Sequence, residues 1–212
     1  MTDSLLLPAA AMAIFTAAAI YGFGFLNAEI SHWRSFWKTL PMAIMTLFVA
    51  IFGGWLLALA LALSAIGDYL LSREDEKFTI GLVSFLSAHL IYIWIFWQMI
   101  AAANFGWGQA AMVAYTLIYG AYLWPRAGEH RIPVLAYIFV ITIMVASSLM
   151  LPAGHFLVVL GSLFFALSDS VLALEIFVIT KQSTKVALSK VVWVSYIAAQ
   201  GFLVIGLHEI SQ

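Results

Sequence analysis

Residues 78–101 read FTIGLVSFLSAHLIYIWIFWQMIA, twenty-four residues in which His89 is the one side chain that can carry a positive charge and none can carry a carboxylate. An apolar run of about 17–25 residues is what a helix needs to cross a bilayer. The run follows the polar string SREDEK at 72–77, so its start is sharply marked. Working outward by the same criterion predicts seven more spans, roughly 5–26, 37–53, 55–71, 107–124, 132–151, 154–177 and 189–208. Gly53-Gly54 and Pro152-Ala153-Gly154 separate neighbouring spans and read as tight helical hairpins. At the first of these, a single long kinked helix is the competing reading.

Composition agrees with this assignment. Hydrophobic residues are 65% of the 212 and charged residues 9%, with a mean hydropathy of +1.06, well away from a soluble domain. The expectation is an all-α, polytopic membrane protein, one eight-helix domain over residues 1–212, integral to the inner membrane of a bacterium. All nine basic residues fall in or beside alternate connections: Arg34 and Lys38; Arg73 and Lys77; Arg126 and Arg131; Lys181, Lys185 and Lys190. The positive-inside rule makes those connections cytoplasmic and puts both termini on the other side. A miscounted helix would scramble the alternation. MTDSLLLPAAAMAIF has no basic stretch before its apolar run and reads as the first span rather than a cleaved leader.

Several functions are excluded. Without cysteine there is no disulfide, thiolate metal site or cysteine nucleophile. A net charge of −1 with no basic block gives no reason for a nucleic-acid partner. No HExxH or multi-histidine spacing, GxSxG elbow or nucleotide loop is present, so neither metal nor cofactor is expected. His32, His130, His155 and His208 fall at helix ends and need no chemical role. Trp33, Trp37, Trp107 and Trp124 also sit at helix ends, as an interfacial aromatic belt requires.

Three ionisable residues fall inside apolar runs: Asp68 in ALSAIGDYLL, His89, and Asp169 in LFFALSDSVLAL. A charge at bilayer centre costs on the order of 3 kcal/mol on insertion scales, so such residues face polar cavities or partners. At about 1.5 Å per residue, His89 is roughly 16 Å from the start of its helix and Asp169 roughly 12 Å from the cytoplasmic end of its own. Asp68 is about one turn from the cytoplasmic end of its helix, and Gln200 is level with His89. The bland readings are a helix cap for Asp68, an interhelical hydrogen bond for His89, and helix contacts for Ser168 and Gln200. Lys38 reads as a headgroup anchor, a partner for an acid, or a ligand for a lipid phosphate. Two acids and a histidine suit proton transfer, with one acid held protonated and the other ionised.

AIGD at 65–68 resembles ALSD at 166–169, and SAH at 87–89 echoes AAQ at 198–200. Read as a duplication, these pairs give a parallel four-helix repeat, with a site at the repeat interface; short apolar strings also match by chance.

The string GDYLLSREDEKFTIGLVSFLSAHLIY resembles the signature of the YhhN-like membrane family, the lysoplasmalogenases, at Gly67, Asp68, Gly81, Phe85, His89 and Tyr92. KTLP at 38–41, GSLFFALSDSVLALEIF with Ser168-Asp169, and SYIAAQGFLV with Tyr196 and Gln200 are similar in the same order, so the likeness runs from about residue 34 to 207. The resemblance implies hydrolysis of the vinyl ether bond of lysoplasmalogens to a fatty aldehyde and a glycerophospho-base, with a lysophospholipid substrate. It implies Asp68 and Asp169 as acid and base, in either order, with His89 orienting a carboxyl or relaying the proton. Tyr92, Ser168, Tyr196 and Gln200 would hold water or substrate and Lys38 the phosphate.

Two other classes use buried acids. A proton-coupled transporter of small molecules or lipids needs a polar path across the whole bilayer, whereas here the deep polar groups cluster from the midplane toward the cytoplasm. An intramembrane aspartyl protease wants a glycine two places before Gly67-Asp68, and Ala65 stands there. Oligomeric state is not legible in the sequence.

Overall fold

The structure is a computed structural model, and it describes residues 3–73, 77–100, 102 and 105–208. These residues form eight α-helices and no strand: α1 (Asp3–Ile20), α2 (His32–Ile51), α3 (Trp55–Leu71), α4 (Phe78–Met99), α5 (Trp107–Leu123), α6 (Arg131–Ser148), α7 (Phe156–Phe177) and α8 (Gln182–His208). A π-helical turn, Tyr21–Phe25, continues α1, and a 3-10 turn, Gly128–His130, leads into α6. Five segments are long and apolar enough to cross a membrane: Leu6–Phe25, Phe78–Met99, Gly128–Ser148, Phe156–Phe177 and Gln182–Leu207. This is an integral membrane protein. The apolar helix α3 is shorter, at Trp55–Leu71.

Helix bounds depart from the apolar runs for a physical reason. Hydropathy marks what lipid accepts, whereas a helix continues wherever its backbone bonds continue. Thus α2 starts at His32, not at 37, because Ser31 is extended and its side chain accepts the Arg34 amide at 3.2 Å. Similarly α8 begins at Gln182 rather than 189, taking in the polar QSTKVAL. Gly53 decides between a hairpin and one kinked helix. Its φ of +84° lies in the left-handed region, which ends α2, and α3 begins two residues later. Helices α2 and α3 then pack against each other.

The chain divides into two compact units, residues 1–88 and 89–212, with the division inside α4. The first has a core of Met42, Met45 and Val49 from α2 against Ala58, Ala60 and Leu61 from α3. The second is centred on Ile141 and Met144 of α6, Val158 and Phe165 of α7, and Leu203 of α8. Hydroxyls within these helices return to their own backbone four residues earlier, as with Ser64 to Ala60, Thr142 to Ile138 and Ser162 to Val158. In hydrocarbon an unbonded hydroxyl is costly, and this bond removes that cost locally.

Two glycines let α7 and α8 approach closely, as small residues do between membrane helices. A Cβ at Gly161 would stand 2.9 Å from the Ala199 carbonyl oxygen and 3.0 Å from the Leu203 amide nitrogen. One at Gly206 would meet the Val158 nitrogen at 3.0 Å. Backbone cannot rotate out of the way as a side chain does. Gly161→Val is therefore expected to lose about 1–3 kcal/mol, read as a lowered unfolding temperature in detergent. An unchanged melting curve would show that α7 and α8 do not meet there.

Candidate active site

The first carboxylate belongs to the unit built from α2 and α3. Asp68, one turn before the end of α3, is 2% exposed. Lys38, on the second turn of α2, brings its ammonium to 3.6 Å from Asp68 Oδ1 and keeps 19% of its side chain accessible. This is a charge pair rather than a tight hydrogen bond. Below it, Ser72 Oγ lies 2.7 Å from both Ser35 Oγ and the Tyr69 carbonyl, and Arg34 donates to the Ser72 carbonyl at 3.3 Å. The end of α3 is thus tied to the start of α2, which places Lys38 opposite Asp68.

Two residues of the sequence signature explain how Asp68 is held. A Cβ at Gly67 would fall 2.5 Å from the Phe85 ring, and one at Gly81 2.9 Å from Leu71 Cγ. Ser84 Oγ also donates to the Leu63 carbonyl at 2.7 Å. Gly67, Gly81 and Phe85 are therefore helix-packing positions between α3 and the first half of α4. They set how closely α3 and α4 approach beside Asp68.

The second carboxylate lies in the other unit. Asp169 sits midway along α7, with its side chain 15% exposed. His89 Nε2 lies 3.8 Å from Asp169 Oδ2, and the Tyr137 hydroxyl donates to the same oxygen at 2.7 Å. The His89 ring stands edge-on to Tyr137, centroids 5.2 Å apart, and edge-on to Phe165 at 4.6 Å. Phe165 in turn packs edge-on against Tyr196 at 5.6 Å. An imidazole walled by aromatic rings beside a carboxyl can give, take or relay a proton.

The residue after Asp169 is also clamped. The Tyr115 hydroxyl and Ser170 Oγ are 2.7 Å apart, Tyr119 donates to the Ser170 carbonyl, and Ser170 Oγ donates to the Ala166 carbonyl. Helix α5 therefore grips α7 next to the acid.

The other sequence candidates have definite places. Tyr92 and Gln200 are fully buried, the phenol donating to Gln200 Oε1 at 2.7 Å and joining α4 to α8. Ser168 Oγ donates to the Val192 carbonyl at 3.1 Å, a tie between α7 and α8. Tyr196 is 5% exposed and packs between Phe165 and Trp193. Sequence reasoning missed Tyr137. It lies six residues into α6, about 9 Å deep, near the depth of Asp169, and that match was the available signal.

Comparison with known proteins assigns the family. The model of the YhhN family matches residues 33–207. This chain belongs to the YhhN family. Two curated proteins, each named lysoplasmalogenase, one from Mycobacterium bovis and one from Mycobacterium tuberculosis, are each 32% identical to it over 160 residues. In both cases the match covers 72% of this chain and 59% of the relative, so this YhhN protein spans somewhat over half of their length. No solved structure matches it. The matched region of the family contains both carboxylates, Lys38, His89 and Tyr137.

Proposed function

We propose that this chain is a lysoplasmalogenase, hydrolysing the vinyl ether bond of lysoplasmalogens within the membrane. The observation that carries the reading is Asp169, an acid within an apolar helix with an imidazole 3.8 Å away, in a chain whose curated relatives bear that name. All eight helices span the bilayer, with the basic connections cytoplasmic and both termini outside.

The chemistry fits such groups. A proton adds to the β-carbon of the vinyl ether, leaving an oxocarbenium ion at the α-carbon. Water attacks the α-carbon and gives up a proton, and the hemiacetal collapses to aldehyde and the glycerol hydroxyl. One water is consumed and the catalyst's proton is returned. The cation resembles that of glycoside hydrolysis, where one carboxylic acid donates and a carboxylate assists water. Asp68, ion-paired with Lys38, suits the carboxylate, which takes the proton of water and steadies the cation electrostatically. Asp169 is then the proton donor, with His89 returning the proton. An ammonium has three donors, so Lys38 can also meet the lipid phosphate. Tyr92, Ser168, Tyr196 and Gln200 are assigned to holding water or substrate.

The test uses purified protein and three lysolipids that differ at the sn-1 linkage: vinyl ether, alkyl ether and ester. Aldehyde from the vinyl ether alone is expected. Fatty acid from the ester would make the protein a lysophospholipase. No product from any of the three, with folded protein, would end the hydrolase reading.

A further inference from the structure

We propose that Tyr137 is a positioning residue for Asp169, fixing the carboxyl plane from which the proton is delivered; this rests on the lysoplasmalogenase reading. A carboxyl turns easily about its last torsion, since terminal sp³–sp² rotations are broad. A proton transfer to carbon needs the donor aimed at one atom, and misalignment is costly. Tyr137 supplies a constraint of this kind. Its hydroxyl carries one proton, donated at 2.7 Å to Oδ2, the oxygen that also faces His89 Nε2. Its ring meets the His89 ring edge-on, so one side chain bears on both members of the acid–imidazole pair.

Tyr137 is itself held. It is 8% exposed on α6, where Val134, Ile138 and Ile141 of the same helix are buried too, so little room is left for the phenol to turn to solvent. Buried in apolar surroundings, a hydrogen bond to a carboxyl is stronger and more directional than in water. The adjacent clamp of Tyr115 and Tyr119 on Ser170 holds the backbone beside Asp169, while Tyr137 holds the carboxyl.

Tyr137→Phe keeps the ring against His89 and removes only the donor. It is expected to lower kcat about tenfold to thirtyfold, with KM within about twofold of wild type. In an Asp169→Asn background the same change should cost nothing further, since its effect runs through Asp169. Tyr137→Gln, which restores an N–H donor, should recover part of kcat. A second readout does not depend on turnover. The infrared carboxyl bands of Asp169, recognised by their loss in Asp169→Asn, should move in Tyr137→Phe. Unmoved bands, or kcat and KM both at wild-type values, would overturn the proposal. Moved bands in a wild-type protein that releases no aldehyde would overturn the hydrolase reading instead.

Discussion

Asp169→Asn is expected to lower aldehyde release from a vinyl ether lysolipid by about 10²- to 10⁴-fold, the usual range for losing a positioned acid or base. The asparagine keeps the shape of the side chain and an oxygen able to accept from Tyr137, so folding should survive. What it lacks is a transferable proton. On the proposed reading the loss should fall on kcat, because the lipid's tail and headgroup are assigned to other residues. The measurement is initial-rate kinetics on protein whose unfolding temperature matches wild type. Turnover within a few-fold of wild type would remove Asp169 from the mechanism and, with it, the role given to Tyr137.

The second large effect concerns Lys38. Lys38→Met leaves the Asp68 carboxylate at 2% exposure without the ammonium now 3.6 Å away. Removing one partner of a buried pair costs about 3–5 kcal/mol; Lys38 is partly accessible, so about 3 kcal/mol is expected. The consequence is a marked drop in unfolding temperature. Adding Asp68→Asn removes the carboxylate that Lys38 faced and should restore most of that stability without restoring activity. That split separates a structural pair from a working one. If the double variant is as unstable as Lys38→Met, the two residues are not coupled, and the salt bridge carries no weight in the fold.

Apolar runs bounded by polar strings predict helices reliably because each span must bond its own backbone in lipid. Helices α3 and α4 were legible almost to the residue. The starts of α2 and α8 were not, since Ser31 and the string QSTKVAL act through backbone bonding that hydropathy does not register. The signature glycines show the same limit. Gly67 and Gly81 read only as positions of a family signature, and the structure uses them to let α3 and α4 meet. Among the site residues, Asp68, His89 and Asp169 stood out because charge is conspicuous in an apolar run. Tyr137 did not, because a phenol is ordinary in membrane helices.

The sequence by itself determined an all-helical membrane protein, and its motifs carried the likeness to the family. The first follows from composition, and the place of each ionisable group along its helix from a constant rise per residue. Only the tertiary structure decided which groups meet: Lys38 with Asp68, and His89 and Tyr137 with Asp169. Depth says how far along a helix a side chain lies. Its rotation about that helix is set by packing, here by close contacts such as those at Gly67 and Gly161, and hydropathy that is apolar all round gives no face to read.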